Sequence, residues 1–398
     1  MNRVVFLNRF YWPEEPATAQ LLTDLAGGLA ADGRPVLILT SQPTAAPRAT
    51  RETHRGVKIR RVRCPRLGGR GAFPRAFDWA SFGLGALWRV GRDVGRGDTL
   101  VLLTDPPLLA ALAAPLARLR GARVVHWVQD IYPELPLALG ARGLGWLRLL
   151  RDRAWRRADA GVVLGADMAA LLRSRGVTDS RIHVSPNWAP AGLAPASAAA
   201  VQAQRTAWGV ADRFVVAYSG NLGRVHDLEP VLDLAAALRA DPGFVFLFIG
   251  DGAQRPRLEA LAACRGLDNV RFLPHQPRDQ LAASLGAADV HLVTLRTSCE
   301  QLVFPSKLYG IAAAARPVLF LGPPACELAR QVEAGGFGRA FARDAIGPMA
   351  QTLHAWRDDP AGLAALGRAA AAFDAANGRA ERAVRDWQRL LAGLDAAG

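Results

Sequence analysis

Lysine is rare in this chain of 398 residues: its 49 basic side chains include only two lysines, Lys58 and Lys307. Lys307 stands in Phe304-Pro305-Ser306-Lys307-Leu308-Tyr309-Gly310, ahead of an alanine run from Ala312 to Ala315 and then Arg316-Pro317-Val318-Leu319. A lysine is a compact point charge on a flexible stem, and it suits a phosphate oxygen where the planar fork of arginine does not fit. The plainer reading is a solvated lysine at a helix start, and Lys58, inside a run of arginines, reads that way. A second segment, Ala217-Tyr218-Ser219-Gly220-Asn221-Leu222-Gly223-Arg224, passes from an apolar run into a glycine turn and then a helix. Glycines there let backbone N–H groups approach an anion, and a helix start adds positive potential. Such turns are common and mostly structural. With Arg224 adjacent and Lys307 on another turn, Gly220, Asn221 and Gly223 read as a clamp for a pyrophosphate. Gly250-Asp251-Gly252 closes the next apolar run, either as a loop beneath a nucleotide or as a tight turn.

The first half offers carboxylates instead. Gln129-Asp130-Ile131-Tyr132-Pro133-Glu134 leaves a strand end. A carboxylate there can orient or deprotonate an acceptor hydroxyl, and Asp130 is assigned that role, with His126 further back in the strand. Glu134 reads first as a helix N-terminal charge favoured by the dipole, and second as an acceptor contact. Glu14, Glu15 and Thr18 lie on or after the first loop, on the acceptor side. The cysteines, Cys64, Cys264, Cys299 and Cys326, are scattered and form no C-x-x-C pair or Cys/His cluster, so reduced thiols and no metal site are expected.

These residues must be held by elements. Val4 to Leu7, Pro35 to Leu39, Thr99 to Leu103, Arg123 to Val128 and Gly161 to Leu164 read as short buried strands. Thr18 to Ala31 carries Leu21, Leu22, Leu25 and Leu29 at helical spacing. After Pro186-Asn187-Trp188-Ala189-Pro190 the alternation restarts, with strands at Phe214–Tyr218, Phe244–Ile249, Val270–Phe272, Val290–Val293 and Val318–Leu321. Strands alternating with helices mean parallel α/β sheets, and such sheets bind ligands beyond the carboxyl ends of their strands. The length fits two domains. The expected boundaries are 1–188, 189–378, and a final helix, 379–398, with Val384, Trp387, Leu390 and Leu391 on one face.

Hydrophobic residues at 51% and charged residues at 21% describe a globular protein. No run reaches the roughly 20 apolar residues of a membrane span, and Val4–Leu7 is too short for a signal peptide, so a cytoplasmic location is expected. The net charge of +14 is concentrated between Arg51 and Arg75. Arg60, Arg61, Arg63, Arg66 and Arg70 precede Phe73, Phe77, Trp79 and Phe82. Arginines beside aromatics suit an anionic bilayer face or nucleic-acid phosphate. No nucleic-acid-binding signature is present, so an anionic membrane surface is expected and no nucleic acid.

The Pro-Ser-Lys-Leu stretch with its alanine helix resembles the donor motif of family 4 glycosyltransferases. The Gly220 turn, Gly250-Asp251-Gly252 and Val270-Arg271-Phe272-Leu273-Pro274 follow that family's order and spacing. Among its members, the bacterial surface-polysaccharide enzymes of the colanic-acid and O-antigen fucosaminyltransferase type are most similar. The resemblance implies the GT-B fold: two Rossmann-like domains facing across a cleft, the first for acceptor and the second for nucleotide sugar, with the last helix crossing back. It implies retention of anomeric configuration without a metal, with cations and N–H groups stabilising the departing diphosphate. It places Pro305, Ser306, Lys307, Leu308, Pro274 and His275 at the donor, the base being held by main-chain groups. A UDP-sugar is favoured over a GDP-sugar, and an N-acetylated deoxyhexosamine is one candidate. An undecaprenyl-diphosphate-linked saccharide is the implied acceptor, at the inner face of the plasma membrane. The chain also departs from the family. Asn221 stands at the usual Arg position and His226 near the usual Lys, so Arg224 is expected to substitute. The family's paired glutamates fall at Leu302 and Gly310, with Glu300 near the first in another register. An epimerase of the same fold, or a non-catalytic basic membrane module, are the alternatives.

Overall fold

The structure, a computed structural model, describes residues 1–14, 16–43, 46–64 and 72–396. Glu15, Arg66 and Arg70 lie outside these residues, as do the side chains of Phe73 and Arg75. The chain forms two compact units. Unit 1 comprises Met1–Asn187, Gln301–Phe304 and Ala380–Gly398; unit 2 comprises Trp188–Glu300 and Pro305–Arg379.

Among the described residues, unit 1 holds eight strands: β1 (Val4–Leu7), β2 (Val36–Ser41), β3 (Arg51–His54), β4 (Val57–Val62), β5 (Thr99–Leu102), β6 (Arg123–Trp127), β7 (Ala160–Val163) and β8 (Ile182–Val184). Their order is β3-β4-β2-β1-β5-β6-β7-β8, parallel throughout except for the β3–β4 hairpin. The central strands are short, continuous apolar runs because helices cover both faces of a parallel sheet. Those helices include α1 (Ala17–Ala31), α2 (Ala72–Asp93), α3 (Leu109–Leu119), α4 (Glu134–Ala138), α5 (Leu147–Arg157) and α6 (Ala166–Ser174). The core under α2 and α3 gathers Val5, Leu7, Leu37, Leu39, Phe82, Val90 and Leu100. The terminal helix, Ala380–Ala396, belongs to this unit. Its Trp387 meets Trp127 edge-on at 5.0 Å and Phe6 at 6.0 Å.

The hairpin corrects the reading of the basic run at two of its residues, Arg61 and Phe82. Val-Lys-Ile-Arg-Arg-Val (Val57–Val62) buries Val57, Ile59 and Val62, and Arg55-Gly56 turns the chain with φ of 48° and 76°. Two consecutive left-handed residues are what a two-residue hairpin turn requires. Arg61 is not on any surface. It is fully buried, donating to Glu52 at 2.7 Å, to the Ser41 carbonyl at 3.2 Å and to the Trp12 carbonyl at 2.6 Å. Phe82 is likewise fully buried in the core. Neither can dock on a membrane.

Unit 2 holds β9 (Phe214–Ser219), β10 (Phe244–Ile249), β11 (Val270–Leu273), β12 (Val290–Thr294), β13 (Val318–Leu321) and β14 (Gly338–Phe341). Their order is β11-β10-β9-β12-β13-β14, all parallel. The chain winds outward from β9 and then restarts beside it at β12. That reversal opens a crevice beyond the ends of β9 and β12, where ligands of such sheets bind. The corresponding reversal in unit 1 lies between β1 and β5.

Candidate functional site

In unit 2, Ser219 ends β9 and Gly220 follows it, Gly250 follows β10, and Arg296 follows β12 within two residues. Lys307 opens the short helix Lys307–Ala313. Its Nζ sits 3.4 Å above the centre of the Tyr218 ring. The Nζ is buried and has no hydrogen-bond partner among the described residues, although the side chain as a whole is only half-buried. Burial holds its pKa well below the usual lysine value. A cation over an aromatic face gains up to about 2 kcal/mol when desolvated. Burying an ammonium without an acceptor costs more than that, so the position suits an anionic partner. The space beside it is kept by Gly220, with φ of 122°: a Cβ there would lie 3.4 Å from the Nζ. Ser219 Oγ is a second buried polar atom with no partner among the described residues. The backbone N–H groups of Asn221, Gly223 and Arg224 donate to no acceptor among the described residues.

The Gly250-Asp251-Gly252 segment has a definite packing role. A Cβ on Gly250 would meet the Gly220 carbonyl oxygen at 2.3 Å, and one on Gly252 would meet Leu222 backbone at 2.6 Å. Leu222 N–H donates to the Asp251 carbonyl at 2.8 Å, so the two glycine loops are laid backbone against backbone. Asp251 itself is exposed and accepts from Gly252 N–H at 2.7 Å. Arg255 ties this loop to the next, donating to the carbonyls of Gly250 at 2.7 Å and Leu273 at 3.0 Å. Pro274 and His275 follow β11 and are exposed.

Arg224 is exposed on the β9 loop, and its carbonyl accepts from Arg296 Nε at 2.7 Å. Arg296 was not anticipated; the signal available was its place just after β12, at the switch point. His226 is buried and neutral, its pKa pushed down to about 3 by burial first and then by the nearby Lys307 charge. Its Nδ1 lies 2.7 Å from the Thr294 carbonyl, so it anchors the β9 loop to β12 and is not a diphosphate cation. Gly310 is buried, facing Leu193 and Leu285, so the position of the family's second glutamate is apolar here. Glu300 ends a 3-10 turn and is half-buried. Pro305 and Leu308 are buried, and Ser306 precedes the helix without capping it through its side chain.

In unit 1, Asp130 follows β6, beside the residues that follow β5. Its N–H donates to Thr104 Oγ1 at 3.3 Å, and its backbone bridges to Val303. Burial first, and the Asp105 carboxylate second, raise its pKa to about 6. Asp105 is also raised to about 6, by burial, with Arg9 opposing and Glu14 adding to the rise. Thus Glu14, Asp105, Asp130 and Arg9 gather at the switch point of this sheet. Thr18 lies in the first turn of α1. Under Asp130 is a cavity of about 30 Å³, lined by Thr104, Tyr132, Trp155 and His126 among others. His126 Nε2 is buried there without a partner among the described residues, and burial pushes its pKa down to about 4. Glu134 does not join this group. Its buried carboxylate takes a two-pronged contact from Arg151 at 2.7 and 2.8 Å, with Arg148 at 3.3 Å and Arg175 at 3.5 Å beside it. Such a carboxylate is committed to holding α4 on α5, which corrects its assignment to the acceptor. Among the described residues no group of three or more His, Cys, Asp or Glu is placed to hold a metal ion.

Two parallel-sheet units, each with its polar residues at the switch point, define a GT-B architecture. Residues 18–188 match the Glycosyl transferase 4-like domain, and residues 201–346 match the Glycosyl transferases group 1 domain. The colanic acid biosynthesis glycosyl transferase WcaI of Escherichia coli (strain K12) is 29% identical over 329 residues, covering 76% of this chain and 79% of that protein. Sucrose-phosphate synthase from Thermosynechococcus elongatus superposes over 100% of both chains with a TM-score of 0.81 at 18% identity. Anabaena HepE, solved in complex with UDP-glucose, superposes over 99% of this chain and 100% of its own with a TM-score of 0.73 at 16% identity. The chain belongs to the family 4 glycosyltransferases of GT-B fold, and is a nucleotide-sugar-dependent transferase.

Proposed function

We propose that the chain transfers a sugar from a UDP-linked donor to a lipid-linked saccharide, with retention of configuration, in the assembly of a surface polysaccharide at an anionic membrane face. The observation that carries the donor half is the buried, unpartnered Lys307 Nζ beside the Gly220 turn. A diphosphate would supply the missing acceptors. Lys307, the free N–H groups of the β9 loop and Arg224 would hold it, with Arg296 beside them. The bond between anomeric carbon and diphosphate oxygen breaks, the diphosphate keeps the electron pair, and the acceptor oxygen bonds the anomeric carbon on that same face while its proton passes to the departing diphosphate or to Asp130. Fixed cations and N–H groups stabilise that charge more than the ground state, which is where the rate gain arises. Unit 1 would bind the acceptor, with Asp130 orienting its hydroxyl or taking its proton. The HepE complex supports a UDP-linked donor, and WcaI supports a surface-polysaccharide role.

The test is incubation of the purified chain with labelled UDP- and GDP-sugars and a polyprenyl-diphosphate-linked saccharide. Transfer with retained anomeric configuration supports the proposal. An isomerised sugar nucleotide would show an epimerase instead, and neither product would leave only a binding module.

A further inference from the structure

The outer layer of unit 1 is apolar in an uneven way. Leu119 is 85% exposed, Leu149 75%, Leu84 73% and Trp146 67%, with Trp88 and Leu112 also exposed. All six lie on, or immediately before, α2, α3 and α5. They fall into stripes. On α2, Leu84 and Trp88 are one turn apart; on α3, Leu112 and Leu119 are two turns apart, on the same face. The helices are neighbours, with α3 packed against both α2 and α5. Gly83 and Gly91 of α2 let Leu109 and Leu116 of α3 come close, so the two helices run side by side in the same direction.

Charge on this layer has one sign. Arg92, Arg120, Arg153 and Arg157 are exposed at its edges. The acids of the same helices are withdrawn: Asp78 and Asp152 are buried, and Asp93 is held by Arg89 at 3.3 Å. Leucine and tryptophan rimmed by unopposed arginines form the composition that an anionic bilayer attracts and admits. A second copy is a poor occupant, because a two-fold contact would set arginine rims against each other. The inner sides of α3 and α5 supply Ala110, Ala111, Ala154 and Trp155 to the cavity under Asp130. The exposed face is therefore the outside of the layer whose inside supports the acceptor carboxylate.

We infer that the α2–α3–α5 face, and not the arginine run of β4, is the surface that docks on anionic lipid, with Leu119, Trp146 and Leu149 entering the interface. The inference deepens the lipid-linked-acceptor reading and rests on it for its purpose, but its test needs no sugar transfer. The full chain and the variant Leu119→Asp/Trp146→Asp/Leu149→Asp are sedimented with phosphatidylglycerol/phosphatidylethanolamine vesicles and with phosphatidylcholine vesicles. Folding is checked by thermal melting and by UDP binding. The wild type should bind the anionic vesicles, with a blue shift of tryptophan emission, and the variant's partitioning should fall by roughly tenfold or more. Wild type that ignores anionic vesicles at low salt overturns the inference. So does a folded variant that binds as well as wild type, or a wild-type dimer that the variant dissolves without any vesicle binding. A chain that binds vesicles through this face yet transfers no sugar would keep the face and remove the transferase reading; transfer to a soluble acceptor without vesicle binding would do the reverse.

Discussion

Every large apolar side chain that stands exposed among the described residues lies in unit 1, between Met1 and Val184; unit 2 exposes none. The strand ends differ as sharply. Unit 1 collects Glu14, Asp105 and Asp130 around Arg9, and burial raises the pKa of both aspartates to about 6. Unit 2 collects Lys307, Arg224 and Arg296, and burial lowers the lysine. On the proposed reading, two sheets of the same winding would serve opposite partners: one a hydroxyl that must lose a proton, the other a diphosphate. The winding sets only where side chains converge, and the loop residues set what they do there.

The strongest way to break this contrast is Lys307→Ala. Turnover of nucleotide sugar should fall about 10²–10³-fold, the scale of losing one fixed donor to developing charge. Lys307→Arg should fall nearly as far, since the Nζ sits buried 3.4 Å over the Tyr218 ring and a planar guanidinium does not reproduce that compact point charge. The melting temperature should hold or rise, because an uncompensated buried charge is removed. Normal turnover in the alanine variant would remove Lys307 from the site.

Asp130→Asn sharpens the contrast from the other side. A lost general base costs on the order of 10²-fold in kcat. Calorimetric affinity for UDP should stay unchanged, since the carboxylate belongs to unit 1. A variant that loses UDP binding would show that the two roles are not divided in this way.

A smaller effect separates the cations. Arg224→Ala and Arg296→Ala should each raise the donor KM by roughly tenfold, the worth of one charge-assisted contact. Double substitution tests whether they act together: Arg296 holds the Arg224 carbonyl, so the losses should be less than additive. Strict additivity would mean independent contacts.

The sheets were legible because parallel strands covered on both faces must be continuous apolar runs, as Phe244–Ile249 is. The β3–β4 hairpin was not. Its arginines outnumber its buried Val57, Ile59 and Val62, and a charge run looks solvated until one sees that Arg61 satisfies Glu52 and two carbonyls in the interior. Lys307 was legible through its rarity. Arg296 was not, since one arginine among so many carries no signal until the strand order puts it at the switch point. Glu134 misled for a related reason: its partners Arg148, Arg151 and Arg175 come from segments 14 and more residues away. The apolar face was half legible. Phe77 and Trp79 of α2 stood in view beside the arginines, but Leu112, Leu119 and Leu149 sit in helices whose other apolar positions are core, and spacing alone does not say which leucine faces out.

The subtlest test concerns Asp105, which nothing in the sequence singled out. Its carboxylate helps to keep Asp130 near a pKa of about 6, after burial, while Arg9 and Glu14 face Asp105 with opposite effects. If Asp130 must be ionised to take a proton, the rate falls as pH drops through about 6. Asp105→Asn removes a negative charge, so Asp130 should ionise more readily and the acid limb of kcat should move to lower pH by a fraction of a unit. Stability gives an independent reading. A carboxyl whose pKa is raised on folding stabilises the fold in acid, and that contribution is lost as pH rises through about 6. Without Asp105, the decline in stability across that range should flatten, and the variant should melt higher than wild type above pH 6. An acid limb that stays in place while the melting curve flattens would confine Asp105 to the fold and detach it from Asp130. Activity that instead falls as pH rises through about 6, with that limb moved to lower pH by Asp105→Asn, would mean that Asp130 works as an acid in its protonated form, reversing the role assigned to unit 1.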